Sequence, residues 1–102
     1  MDRELIAILR GVTSREVIAI AEELILSGIT KIEVPLNSPN AYESIESLAN
    51  RFSSEAVIGA GTVLKKNEVS SVCNAGGKMI VSPNVNADVI IETKKLNMRS
   101  YP

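Results

Sequence analysis

The chain has 102 residues, room for one modest domain, and its 45% hydrophobic and 23% charged content is an ordinary globular balance. A formal net charge of −1 and an aromatic content of 3% give no basis for a nucleic-acid or anionic-membrane partner. There is no histidine, the commonest general base and transition-metal ligand, and the lone Cys73 excludes an internal disulfide and fits a reducing cytoplasm.

"MDRELIAILRG" places acids and bases before a short apolar stretch and carries no small-residue cleavage site, so it does not read as a signal peptide. No apolar run approaches the roughly 20 residues that span a bilayer. Within that opening, "LIAIL" (5–9) is continuously apolar and predicts a strand covered on both faces. Thr13 and Glu16 form a capping-box signature ahead of "EVIAIAEELILS", a helix that Gly28 closes. "KIEVPL" predicts the second strand. Ser38 as N-cap and Pro39 as first helical residue then open "NAYESIESLANRF". "AVIGAG" (56–61) is the third strand, followed by a helix over 66–75 that ends at Gly76 and Gly77. "MIVSP" (79–83) is the fourth strand, Asn86 caps "ADVIIETKKLN", and "MRSYP" begins a fifth strand.

Strand and helix alternate four times, which argues for parallel strands joined by right-handed crossovers. The period, roughly 22 to 26 residues, is that of the compact βα unit of a (β/α)8 barrel, whose usual length is about 250 residues. "SGITKIEVP" and "AGGKMIVSP" echo each other, each running from glycine through an apolar strand to proline. The expected architecture is therefore α/β and of the parallel TIM-barrel type. Residues 1–102 would form its N-terminal half, the first four βα units plus the start of a fifth strand.

The polar residues that interrupt strands gather at one end of them. Arg10 closes the first strand, Glu33 and Asn37 the second, Thr62 the third, and Ser82 and Pro83 the fourth. In a parallel barrel that is the rim where catalytic side chains assemble. Most of these residues have a plain structural reading. Arg10 can end a strand in solvent, Thr62 can cap a turn, and the glycines of "GAGT" can serve a tight backbone turn rather than a phosphate. Lys65, Lys66, Lys94 and Lys95 read as solvated helix-end charges, and Cys73 as packing. Glu33 is different. Alternation turns Ile32 and Val34 toward the helices and Glu33 into the barrel. Burial there raises a carboxyl pKa, which suits a proton carrier near neutral pH.

"IAILRG", "EVPLNSP", "IGAGTV" and "IVSPN", in this order and spacing, resemble the N-terminal half of the KDPG/KDPGal aldolase family, over about Leu5 to Pro102. "EVPLNSP" is similar to the 2-dehydro-3-deoxy-6-phosphogalactonate branch; the phosphogluconate branch usually has arginine where this chain has Asn37. The resemblance implies a class I lyase. A lysine forms a Schiff base with the substrate C2 carbonyl, and cleavage of C3–C4 releases pyruvate and glyceraldehyde 3-phosphate. It further implies that Glu33 moves protons, that Arg10, Asn37, Thr62 and Pro83 contact substrate, and that no metal or organic cofactor takes part. The partners implied are a phosphorylated sugar acid and pyruvate, with homotrimeric assembly common in the family.

In the family the Schiff-base lysine stands on the sixth strand. None of Lys31, Lys65, Lys66, Lys78, Lys94 and Lys95 matches it, so this chain alone is expected to be inactive. The other readings are an inactive half barrel that needs a partner half, a phosphogluconate aldolase, and a different phosphate-handling barrel enzyme with a similar first half.

Overall fold

The computed structural model describes residues 5–82 and 86–101. Strands and helices alternate: β1 (Ile6–Ile8), α1 (Val17–Leu26), β2 (Lys31–Pro35), α2 (Ala41–Phe52), β3 (Val57–Gly61), α3 (Lys66–Asn74), β4 (Met79–Val81), α4 (Ala87–Lys95) and β5 (Arg99–Tyr101). The five strands lie side by side in chain order, and each neighbouring pair is parallel. Four βα units and a fifth strand of a TIM-barrel-type sheet are thus present, as the periodicity predicts.

The turns between helix and strand follow from single residues that tolerate a left-handed backbone. After α1, Gly28 has φ 94°, and the Ile29 N–H donates to the Leu24 carbonyl at 3.0 Å. After α3, Gly76 has φ 96°, and the Gly77 N–H donates to the Val72 carbonyl at 2.9 Å. Asn97, with φ 59°, does the same after α4. Each closes its helix in a Schellman-type turn that satisfies the last carbonyls and aims the chain back into the sheet. At the opposite end of α4 the Asn86 side chain accepts from the Asp88 and Val89 N–H groups, the cap that the sequence predicts.

Strand register sorts the side chains onto two faces. Ala7 pairs with Ile32 and Ile32 with Ile58; Ile8 pairs with Glu33, Glu33 with Gly59 and Gly59 with Met79. Leu9, Ile32, Val34, Ile58, Ala60 and Ile80 share the helix-facing side and are buried in the core. α2 completes that core with Ala41, Ser44, Ile45, Leu48, Ala49 and Phe52, spaced so that they form one stripe.

Three expectations need correction. β1 is not covered on both faces: Ile8, on the face shared with Glu33, is 54% exposed. β1 is the edge of this sheet, and among the described residues no second layer lies over its inner side. Nor is Ser38 the N-cap of α2. The Ser38 N–H donates to the Pro35 carbonyl at 2.9 Å and closes a tight turn, which delays the helix to Ala41 with Asn40, at φ 51°, ahead of it. The Ser38 hydroxyl is buried and, among the described residues, finds no hydrogen-bond partner. The Thr13–Glu16 pair forms as predicted, with the Thr13 hydroxyl and N–H donating to Glu16 Oε1 at 2.8 and 3.4 Å, but it closes a turn before α1 rather than the helix itself.

Candidate active site at the C-terminal rim of the sheet

β2 is a short strand with apolar neighbours on its helix-facing side, and this fixes Glu33. Ile32 and Val34 are buried among the helices, at 0% and 1% exposure, so the residue between them must take the opposite face. Glu33 lies there, at the middle of β2 and only 4% exposed, with its carboxyl reaching the last residue of β3, Gly61. Among the described residues its carboxyl accepts no hydrogen bond. Burial holds its pKa above the ordinary 4.5, against a smaller opposing pull from the positive charge of Arg10. The result is a carboxyl that keeps its proton to higher pH than usual, with a cation close enough to favour its release.

The register explains how Arg10 comes near. The Leu9 N–H donates to the Glu33 carbonyl at 2.9 Å, so the ladder delivers the next residue, Arg10, to the rim beside Glu33. Arg10 itself is exposed. On the other side, Pro35 pairs with Gly61, and the Leu36 N–H donates to the Gly61 carbonyl at 2.9 Å. Thr62 follows directly. It is half-buried, with φ 57°, a left-handed conformation that β-branched residues avoid and that is stored mainly at functional sites. The expectation of an ordinary turn residue does not account for that conformation.

Arg10, Glu33 and Thr62 are therefore brought to one rim by three adjacent strands. Asn37 lies on the same rim, exposed in the turn after β2. Ser82 continues it at β4, buried and donating its N–H to the Tyr101 carbonyl at 3.1 Å. Pro83 lies outside the described residues. Lys31 and Lys78 stand where β2 and β4 begin, at the far rim. Lys65 and Lys66 open α3, and Lys94 and Lys95 close α4, all four exposed. Arg10 is the charged group whose field reaches Glu33.

The residue that sequence reasoning missed is Gly61. It sits in the extended strand, and a Cβ built on it would fall within the Glu33 carboxyl group, the nearest atoms being Oε2, Cδ and Oε1. The signal was present in "GAG": Gly59 and Gly61 have the parity of Glu33, so their missing side chains open space on its own face. A tight backbone turn, the plainer reading of these glycines, makes no use of that space.

Comparison with known proteins gives a consistent result. The family model for KDPG and KHG aldolase matches residues 1–102. A Rhizobium meliloti (strain 1021) protein named "Probable 2-dehydro-3-deoxy-6-phosphogalactonate aldolase" is 46% identical over 90 residues, which is 88% of this chain and 42% of that protein. A solved structure of native KDPGal superposes with a TM-score of 0.92 at 37% identity, covering 98% of this chain and 50% of the other. The Legionella pneumophila KDPG aldolase, solved with pyruvate captured as a covalent carbinolamine, superposes with a TM-score of 0.87 at 30% identity, covering 97% and 48%. The chain spans less than half the length of the curated relatives it matches.

Proposed function

Because this chain belongs to the KDPG and KHG aldolase family, we propose that it supplies the proton-handling side of a class I aldolase that cleaves 2-dehydro-3-deoxy-6-phosphogalactonate to pyruvate and D-glyceraldehyde 3-phosphate. The observation that carries this reading is Glu33: an inward, buried carboxyl with a raised pKa at the C-terminal rim, beside Arg10. The galactonate substrate is favoured by the relatives named for it and by Asn37 in place of arginine. Residues 1–102 are then the N-terminal half of the barrel, and the nucleophilic lysine comes from outside them.

The chemistry assigns Glu33 two proton transfers. The lysine amine adds to the C2 carbonyl to give a carbinolamine. Protonated Glu33 gives its proton to the departing hydroxyl, water leaves, and an iminium forms. The carboxylate so generated takes the proton from the C4 hydroxyl as the C3–C4 bond breaks, and the bonding pair flows into the iminium. Glyceraldehyde 3-phosphate departs; protonation and hydrolysis of the enamine release pyruvate. A carboxyl with a raised pKa can serve in both directions, as acid and then as base. Thr62 holds the carboxylate of the pyruvyl portion, Arg10 favours the ionised form of Glu33, and Asn37 binds the polar chain of the substrate. Pro83 belongs with the residues that contact substrate. The reading includes a cytoplasmic location and homotrimeric assembly.

Borohydride reduction in the presence of pyruvate, followed by intact mass, tests the assignment. The chain alone should gain no pyruvyl adduct. Mixed with the C-terminal half of the Rhizobium meliloti relative, the adduct should form on the added half, with aldol cleavage restored. An adduct on the 102-residue chain alone overturns the placing of the nucleophile. Restored cleavage that is indifferent to Glu33→Gln overturns the role of Glu33.

A further inference from the structure

Gly61 has no conformational need to be glycine. It lies in β3 with extended backbone, its carbonyl accepts from the Leu36 N–H in the ladder, and its φ is not among the left-handed ones. Alanine or a β-branched residue would suit such a strand better. What glycine provides is space. All three carboxyl atoms of Glu33 are the nearest neighbours of a Cβ built at Gly61, so the carboxyl group stands where a side chain would be. Among the described residues no hydrogen bond holds that carboxyl in place, so its direction is set by packing.

We infer that Gly61 is a positioning residue whose bare Cα is the seat of the Glu33 carboxyl. The inference rests on the reading of Glu33 as the proton carrier and extends it to the group that aims it. Any Cβ at position 61 forces the carboxyl to swing off β3 toward the exposed side of the sheet, where Ile8 is open to solvent. There it meets more water and loses its fixed bearing on the rim. The contact with β3 also shields one side of the carboxyl from water, in keeping with its raised pKa.

Two measurements on the full chain test this. The first is carbon-13 NMR titration of the Glu33 carboxyl in the parent chain and in Gly61→Ala. The midpoint should fall toward the usual carboxylate range in the variant, which a purely structural role for Gly61 would not produce. The second is a cycle of urea midpoints over the parent, Gly61→Ala, Glu33→Ala and the double variant. Gly61→Ala should lower the midpoint when Glu33 is present and leave it unchanged or raised when residue 33 is alanine. Equal losses in both backgrounds, or an unmoved titration, overturn the inference. If Gly61→Ala fails to fold, the double variant decides: it folds if the carboxyl was the obstacle, and its failure refutes the seat. Should both measurements succeed while Glu33→Gln leaves aldol cleavage by the complemented enzyme intact, the aldolase role of Glu33 fails and the seat stands.

Discussion

Ile8 and Ile32 are the same residue on neighbouring strands, offset by one position in register, and they face opposite ways. Ile32 is 0% exposed among the helices, whereas Ile8 is 54% exposed on the inner face. Truncating either to alanine removes three carbon groups, worth roughly 0.8 kcal/mol each when fully buried. For Ile32→Ala this gives about 2.4 kcal/mol of lost transfer energy, and the cavity left in a packed core brings the total to about 3 to 4 kcal/mol. For Ile8→Ala less than half of the side chain is out of water and no closed cavity forms, so the loss is about 1 kcal/mol or less. Urea unfolding followed by circular dichroism reads the difference directly. With a slope of about 1.5 kcal/mol per molar, Ile32→Ala lowers the midpoint by about 2 M or more, and Ile8→Ala by less than about 0.7 M. Equal shifts would mean that Ile8 is packed against another layer, and the reading of β1 as a strand covered on one face only would be wrong.

The remaining predictions concern charge and backbone. The folded chain binds a proton at Glu33 more tightly than the unfolded chain does. The stabilisation is therefore complete below the ordinary pKa of 4.5 and is lost as pH rises through the raised folded value. Glu33→Gln should remove that slope from a plot of urea midpoint against pH; a slope that persists assigns it to another group. Arg10→Ala should move the Glu33 NMR titration midpoint further up, since the guanidinium opposes the rise, and an unchanged midpoint refutes the coupling. Asn86→Ala strips the cap from α4 and should cost about 0.5 to 2 kcal/mol by chemical denaturation, with Asn86→Asp retaining most of it. Gly28→Ala meets no atom within 4 Å yet has φ 94°, so its loss, roughly 1 to 2 kcal/mol in the same assay, is backbone strain alone; no loss would show that the turn can reshape freely.

Much of the architecture was legible because the signals are local. Gly28, Gly76 and Asn86 mark helix ends through backbone φ or a side-chain cap, and neither depends on what lies across the sheet. The inward direction of Glu33 was legible for the same reason, since Ile32 and Val34 fix parity within one strand. Two failures came from context that one strand does not encode. "LIAIL" is as apolar as a doubly covered strand, but whether its inner face is covered depends on a layer from elsewhere. Ser38 followed by Pro39 is a sound helix start, yet the hydrogen bond back to the Pro35 carbonyl claims Ser38 for the turn. Gly61 was the subtler miss: its meaning lies in a side chain on the neighbouring strand, and only register brings the two together.

Sheet order that follows chain order has a kinetic meaning. Each described strand pairs with its immediate predecessor, so every contact in this sheet waits on one βα crossover and on nothing more distant. Such a protein can assemble during translation, one helical crossover at a time, with its latest strand always offering unpaired peptide groups to the next. That same growing margin is the place where two nascent copies would stick to each other, and speed of synthesis past it sets how long the hazard lasts.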